Sequence, residues 1–269
     1  MHSHTDTTNH ISGLDLLAGL KATLADKRVG IDYEEVVAEF GQVPASEERL
    51  RGKKFHIRDH VRGLVLAQLS SQRPWGPIAE NMAKIDRLFH KWDPDKLLEI
   101  SATELVDGVR GIHCGNRLIA KQMNSLVPNI KTLRRIEVEF GSLDSFIESK
   151  PPDAIANQLA NPGRFKLKQI GFTLAMEYLR NVGIRAGKPD VHVRRVLGGE
   201  RLAFLEGEPS EQQAVEMIGR LASEAKCNPT YLDNLLWMFC AQDYGNVCKA
   251  QPRCEICSFR EKCKWPALH

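Results

Sequence analysis

Four of the seven cysteines lie close together near the end of the chain, with the spacing C-x5-C-x2-C-x5-C. They are Cys248, Cys254, Cys257 and Cys263. The first residues lack the apolar core of a secretion signal, so we expect a reducing compartment, where disulfides are disfavoured. Four neighbouring thiolates then suit a [4Fe–4S] cluster or a zinc ion, and unliganded thiols are the remaining interpretation. We favour the cluster because only one pair has the short C-x2-C spacing that zinc sites usually repeat.

Asp190 lies inside a basic stretch of the sequence. Between Asn161 and Arg201 there are nine Lys or Arg residues and three acidic ones, a net charge of +6 on a chain whose net charge is +3. Such local positive charge is typical of a phosphate-binding surface, although it also fits a solvated helix face. Asp190 itself could be a plain helix N-cap. Alternatively, its carboxylate could stabilise a positively charged sugar, as in glycosidases.

The elements that position these residues are predicted to be helices. Apolar residues recur at helical spacing in most segments, and few segments alternate with period two, so the sequence predicts an all-α fold. Pro128, Gly141 and Pro162-Gly163 punctuate the pattern, and Gly183 is expected to end a helix. Gly41 to Glu48 is predicted to be a loop. The predicted helices cover about 13–40, 57–69, 76–90, 102–109, 115–126, 131–140, 143–148, 152–160, 166–181, 191–198, 210–226 and 229–240.

Composition limits the class of protein. Hydrophobic residues make up 42% and charged residues 26% of the 269 residues, as in an ordinary folded protein. No apolar run approaches the roughly 18 residues that a membrane span needs. We therefore expect an intracellular protein that is neither secreted nor in a membrane, cytoplasmic and nucleoid-associated if the source is prokaryotic, and monomeric.

Two stretches resemble the endonuclease III family, the helix-hairpin-helix DNA glycosylases. Trp237-Met-Phe-Cys-Ala-Gln-Asp-Tyr-Gly-Asn-Val-Cys248 with Gln251-Pro-Arg-Cys254-Glu-Ile-Cys257 is similar to the family's cluster loop, one residue shorter in its first gap. Leu167-Lys-Gln-Ile-Gly171, followed by Asp190-Val-His-Val-Arg-Arg-Val196, resembles the family's L-P-G-V-G hairpin and its catalytic aspartate. In the hairpin, Lys168 and Gln169 replace the family's Pro and first Gly, which puts its phosphate-binding geometry in question.

The resemblance implies a two-domain fold with the active site in the cleft between a helical barrel and an iron–sulfur cluster domain. It implies excision of a damaged, modified or mismatched base from double-stranded DNA, with Asp190 as the catalytic residue. The implied substrate- and DNA-binding residues are Gln72, Ile112, His113, Lys168, Gly171 and Thr173. The expected divisions are a disordered tail at 1–12, helices at 13–57 that join the cluster domain, a barrel at 58–189 with the hairpin motif at about 166–181, and the Asp190 helix and cluster domain at 190–269.

Three readings of the activity stay open. Bifunctional members of the family carry a lysine where this chain has Thr173, so the resemblance favours a monofunctional glycosylase. A displaced lysine, Lys166, Lys168 or Lys188, could instead give a glycosylase/AP lyase. The altered hairpin also fits a non-catalytic iron–sulfur DNA-binding protein. Gln72, expected from the resemblance to enter the gap left by a flipped base, could instead be an ordinary polar residue at the end of a helix.

Overall fold

The computed structural model describes residues 11–269. These residues contain no strand, so the prediction of an all-α fold is confirmed. None of their helices combines the length and the apolar character that crossing a bilayer demands. The α-helices are α1 (Gly13–Leu24), α2 (Tyr33–Glu39), α3 (Gln42–Leu50), α4 (Ile57–Leu69), α5 (Gly76–Glu80), α6 (Met82–Leu88), α7 (Pro94–Glu99), α8 (Ala102–Gly111), α9 (Ile119–Phe140), α10 (Leu143–Ile147), α11 (Pro152–Ala160), α12 (Phe172–Asn181), α13 (Val191–Leu197), α14 (Glu211–Glu224), α15 (Pro229–Cys240) and α16 (Trp265–Leu268).

Contacts divide the chain into two compact units, and the first is discontinuous in sequence. Among the described residues, it combines residues 11–33 with Val191–His269, whereas the second runs from Glu34 to Asp190. The division therefore differs from the expected ranges, because α3 packs in the second unit rather than with the C-terminal residues. Of the segment expected to be disordered, residues 1–10 lie outside the described residues. Ile11 is buried, and the Ser12 side chain caps α1.

The second unit is centred on the pair α4 and α12, which approach each other closely. Gly63 makes this possible, since a Cβ there would lie 3.1 Å from the Val182 side chain and 3.2 Å from Asn181. The apolar face of α4 is completely buried, with Val61, Leu64 and Leu69 among its core residues. Helices α9 and α11 pack against the same pair. This core is the platform from which the predicted site residues of the second unit project.

Two of the predicted interruptions between helices are wrong. The Gly41–Glu48 loop is mostly the helix α3, which tertiary contacts stabilise because its buried Gln42 side chain is bonded to α12. The predicted break around Pro128 is also absent, since α9 runs through it. A proline removes only one N–H donor from a helix, and the Pro128 carbonyl still accepts a bond from the Thr132 hydroxyl at 3.1 Å. Gly183, in contrast, ends α12 with φ +82° as expected.

In the first unit, α1 packs against α14 and α15. Leu16, Leu20 and Leu24 of α1 are fully buried at helical spacing. Gly19 on the same helix admits the Phe259 ring, which would come within 2.4 Å of an added Cβ. The N-terminal helix thus supports the loop that carries the four clustered cysteines.

Candidate active site and cysteine loop

Residues 161–171 form the connection between α11 and α12, where the sequence predicts the hairpin. The Leu167 N–H donates to the Leu159 carbonyl at 2.9 Å, which folds the connection back on α11. The Lys166 ammonium group donates to the carbonyls of Ala160 and Ile170, one on each side of the hairpin. Burial lowers the pKa of Lys166. Helix α12 begins at Phe172, so the first six residues of the predicted helix 166–181 belong to this loop.

The hairpin adopts a glycine-like backbone without the expected glycine. Gln169, which stands where the resembling family has its first Gly, has φ +60° in the left-handed region. The preceding residue is clamped by the buried Asn129 side chain of α9. Asn129 accepts from the Lys168 N–H at 2.7 Å and donates to the Lys168 carbonyl at 3.0 Å. These two bonds hold the loop in a conformation that the side chain of Gln169 disfavours.

The start of α12 has the features of an anion-binding helix end. Gly171, the N-cap residue, is exposed, and no side chain caps the helix. The first backbone N–H groups of a helix carry partial positive charge and can bind a phosphate. Lys168 is exposed beside them, and Thr173 is half-buried in the first turn. The predicted hairpin residues therefore lie on one short stretch of surface.

Asp190 is half-buried in the segment before α13 and is anchored through its neighbours. Its N–H donates to the Lys188 carbonyl at 2.9 Å. The Lys188 ammonium lies 3.6 Å from a carboxylate oxygen of Glu177 on α12. Glu177 is buried and also accepts hydrogen bonds of 2.9 Å from Gln42 and from Arg180. An ion pair thus ties the Asp190 segment to the hairpin helix.

The charge of Glu177 is maintained despite its burial. Burial alone would raise the pKa of this carboxyl, but Lys188, Arg180 and Gln42 outweigh that effect and hold the pKa below its usual value. The Lys188 side chain is mostly buried, and its charge is opposed by this carboxylate. Lys188 therefore serves as an anchor for the segment that carries Asp190.

Gln72 and His113 lie on two loops that Arg73 joins. Both residues are exposed and have left-handed backbones, with φ +55° and φ +56°. The Arg73 guanidinium donates to the His113 carbonyl at 2.9 Å and to the Gly115 carbonyl at 3.0 Å. Ile112, the predicted apolar wedge, is half-buried at the C-cap of α8. The structure therefore brings together the three residues that the sequence suggested for entering a base stack.

A chain of buried polar side chains connects these loops with the hairpin. The Gln68 carbonyl at the end of α4 accepts from Asn116 and Gln122 at 3.1 and 3.0 Å. The Gln68 side-chain amide donates to Ser125 at 3.1 Å, and Ser125 accepts from Asn129 at 3.4 Å. Asn129 in turn holds Lys168 of the hairpin. The Gln72 loop, the His113 loop and the hairpin are thus parts of one hydrogen-bonded framework.

The four clustered cysteines lie in a loop fastened to α1. The Ser258 N–H donates to the Thr23 hydroxyl at 3.1 Å, and Phe259 packs edge-on against Phe239 with ring centroids 6.0 Å apart. The buried Arg201 guanidinium donates to the Ala250 carbonyl at 3.2 Å and lies 3.5 Å from the centroid of the Trp265 ring. These contacts stabilise a compact loop without a long helix or strand.

The cysteine sulfurs lie near enough to influence one another. Burial raises the pKa of the Cys257 thiol to about 12, and the other three thiols contribute in the same direction. Burial and the neighbouring thiols also raise the pKa values of Cys254 and Cys263. Across residues 11–269, however, no three His, Cys, Asp or Glu side chains are arranged so that they could hold a metal ion. The donor type and the proximity of the four thiols fit a thiolate-bound metal centre.

Sequence reasoning missed the residues that support the site. Arg73, Asn129 and Glu177 carry no motif of their own. Asn129 falls in the predicted break between two helices, so the sequence gives it no role. An amide at a position that continues the apolar face of α9 could have indicated a buried hydrogen bond. Gln42 was assigned to a loop, so its bond to Glu177 could not be anticipated.

No protein-family model matches the chain, and no curated protein matches it. Solved structures are similar in fold, among them the following three. The 8-oxoguanine glycosylase/lyase of Methanocaldococcus jannaschii, in complex with a 15mer DNA containing 8-oxoguanine, has a TM-score of 0.52 at 16% identity, covering 82% of this chain and 95% of that chain. A trapped covalent endonuclease III–DNA intermediate, an estranged-adenine complex, has a TM-score of 0.53 at 17% identity. A non-covalent endonuclease III–DNA complex has a TM-score of 0.54 at 18% identity. Each of the last two covers 88% of this chain and 98% of its own. At such identities the likeness shows the fold, and the resemblance to the helix-hairpin-helix glycosylases is confirmed at that level.

Proposed function

We propose that this chain is a DNA glycosylase that releases a damaged, modified or mismatched base from double-stranded DNA. The observation that carries the proposal is that the chain shares the fold of DNA-bound structures of an 8-oxoguanine glycosylase/lyase and of endonuclease III. Its sequence also contains a hairpin motif and an aspartate that resemble those of the endonuclease III family. The left-handed backbone at Gln169 supports it further, because this conformation suits a glycine and lies where the resembling motif has one.

DNA would bind through its phosphates at the start of α12. Backbone N–H groups there and the Lys168 side chain provide a sequence-independent contact that fixes the register of the duplex. In the first unit, the exposed side chains of Arg260, Lys262 and Lys264 next to the cysteine loop supply positive charge for a further contact. The partner is thus a duplex with a lesion, a modified base or a mismatch.

The target nucleotide would leave the stack before the chemistry, because C1′ cannot be reached inside a duplex. Gln72 would fill the space of the extruded base, and Ile112 and His113 would insert from the neighbouring loop. Apolar wedges are a known way of separating base steps. The bond of Arg73 to the His113 carbonyl supports a joint action of the two loops.

Asp190 would stabilise the transition state of hydrolysis. As the bond between C1′ and the base breaks, its electron pair leaves with the base and the sugar becomes positively charged. A fixed carboxylate lowers the energy of this cation and can accept the proton of the water that adds to C1′. The base takes up a proton, and an abasic site remains. The Glu177–Lys188 ion pair would hold Asp190 in place for this role.

We infer that the enzyme is monofunctional. A hydroxyl group such as that of Thr173 cannot form the imine that leads to strand cleavage. Among the alternative lysines, Lys188 is opposed by Glu177, and Lys166 is engaged by two carbonyls. These contacts keep both amines in structural roles.

A second candidate is a bifunctional glycosylase/lyase. One of the similar structures is named a glycosylase/lyase, and another is a covalent enzyme–DNA intermediate. Lys166 is the lysine to test, because its lowered pKa favours the neutral, nucleophilic amine. Borohydride would trap an imine with DNA in the wild type and not in a Lys166→Met variant.

We further propose that Cys248, Cys254, Cys257 and Cys263 hold a [4Fe–4S] cluster. Four thiols in one compact loop are the donor set such a cluster uses. When bound, the cluster would link the ends of the loop covalently through iron. The residues of the loop would then present their basic side chains on a fixed backbone.

The proposed function is tested by a base-release panel. Purified protein is incubated with duplexes that carry oxidised pyrimidines, uracil and thymine mismatches, alkylated purines or 8-oxoguanine pairs, and each reaction is analysed with and without alkali. Strand cleavage only after alkali would support the monofunctional glycosylase. Cleavage without alkali would favour the lyase. Binding without any base release would favour the non-catalytic DNA-binding protein.

A further inference from the structure

We propose that Arg73 is a positioning residue that couples the Gln72 loop and the His113 loop into one stack-opening unit; this inference rests on the proposed glycosylase function. Arg73 immediately follows Gln72 at the end of α4. Its guanidinium reaches across to the His113 and Gly115 carbonyls, on a loop 40 and 42 residues away in sequence. One side chain therefore joins the two elements that would enter the DNA.

The geometry explains why an arginine is needed. A guanidinium is a planar fork of donors and can satisfy two separate carbonyl groups at once. The bonds to His113 and Gly115 leave from different terminal nitrogens, and the third nitrogen of the guanidinium lies 3.3 Å from the Pro74 carbonyl. A lysine would have to serve both loop carbonyls from a single nitrogen and lacks the fixed planar geometry of the guanidinium.

Hydrogen bonds between the two loops are needed because the backbones of both loops are strained. Gln72 and His113 each have a left-handed conformation, which residues other than glycine disfavour. Asn116 adds a second tie, from the same loop to the Gln68 carbonyl. Strained residues of this kind persist where the surroundings impose the conformation. Loss of Arg73 would release the exposed Gln72 and His113 side chains from their common geometry.

The test compares Arg73→Met and Arg73→Lys with the wild type and with Arg87→Met. Arg87 is an exposed arginine on α6 and serves as a matched control. Single-turnover release of the best substrate base is measured in duplex and in single-stranded DNA. Only the duplex has a stack to open, so we expect Arg73→Met to slow duplex release about 10- to 100-fold. Release from single strands should change less than twofold, Arg73→Lys should lie between, and Arg87→Met should match the wild type.

Unchanged duplex release in Arg73→Met would overturn the inference. Equal losses in duplex and single-stranded DNA would also overturn it, because they would indicate general damage to the fold. Thermal melting of all variants measures that damage independently.

A second readout separates this inference from the proposed function. The probe is a duplex that contains a tetrahydrofuran abasic analogue with 2-aminopurine as the neighbouring base. The fluorescence of 2-aminopurine rises when the base stack opens. This readout applies even if the wild type releases no base. A fluorescence rise with the wild type that is absent with Arg73→Met would still support the coupling of the two loops. An equal rise in both proteins, or none with the wild type, would refute it.

Discussion

At the residue scale, Gln169 has a left-handed backbone at the position where the resembling family's motif has a glycine. The left-handed conformation costs roughly 1 kcal/mol for a residue with a side chain. Replacement by glycine removes that cost, although glycine also loses more chain entropy on folding. We expect Gln169→Gly to raise the free energy of unfolding by about 0.5–1 kcal/mol in urea titrations.

The matched control for this substitution is Gln169→Ala, which removes the side chain but keeps the strain. It should leave stability within about 0.5 kcal/mol of the wild type. If alanine stabilises as much as glycine, the left-handed strain at this position is not the cause.

At the scale of elements, Asn129 joins α9 to the hairpin. Asn129→Ala would leave the N–H and the carbonyl of Lys168 without their partner. Each bond contributes about 1 kcal/mol, so the variant should lose about 2 kcal/mol of stability and bind duplex DNA more weakly. Urea unfolding and fluorescence anisotropy measure the two effects.

Asn124→Ala on the same helix is the control for that experiment. Asn124 is exposed, and its amide bonds only to the preceding turn, at the Ala120 carbonyl. Its loss should change stability by less than about 0.5 kcal/mol. If both variants lose a similar free energy of unfolding, the loss arises from helix propensity and not from the two hydrogen bonds of Asn129.

A buried network at α4, α10 and α12 predicts a dependence of stability on pH. The His60 ring lies 2.6 Å from the Tyr178 hydroxyl and 3.4 Å from the Asp144 carboxylate. Burial lowers the pKa of His60. Burial would raise the pKa of Asp144, but bonds from His60, Arg49 and the Phe55 N–H hold it well below its usual range.

Both groups have a lower pKa in the folded state, so the unfolded state binds more protons and the free energy of unfolding falls as the pH is lowered. The loss due to His60 begins below about pH 6.5, and that due to Asp144 below about pH 4. We expect the free energy of unfolding to fall between pH 7.5 and 5.5, and less so in His60→Gln. The control is His269→Gln, at an exposed histidine, which should show the same pH dependence as the wild type. If the free energy of unfolding of His60→Gln falls as much as that of the wild type, other groups cause the pH dependence.

The sequence predicts regular helices and chemical motifs better than it predicts what supports them. Helical periodicity identified α4 and α15 because each buries a continuous apolar face. It failed for α3, whose buried Gln42 amide bonds to Glu177, a residue 135 positions away in the sequence. Likewise, Asp190 stands out by its motif, whereas the Lys188–Glu177 pair that anchors it is visible only in three dimensions.

At the scale of the whole molecule, the cysteine loop packs against the N-terminal helix α1, and its four thiols are the proposed ligands of an iron–sulfur cluster. We expect about four iron and four sulfide ions per chain in anaerobically purified protein, with brown colour. Cys257→Ser should lose the iron and much of its solubility, whereas Cys114→Ser, outside the loop, should keep the iron. Metal analysis and absorption spectra measure both. Stoichiometric zinc without iron would contradict the proposed cluster.

The activity proposed for this chain is hydrolysis of an N-glycosidic bond with the help of Asp190. The most direct measurement is the amount of free base that wild type and Asp190→Asn release from the same lesion-containing duplex, detected by mass spectrometry. We predict that the variant loses at least about 100-fold in rate, because an amide cannot stabilise the sugar cation, while its DNA affinity stays within about threefold. Equal release by both proteins, or no release by the wild type from any duplex it binds, would contradict the account.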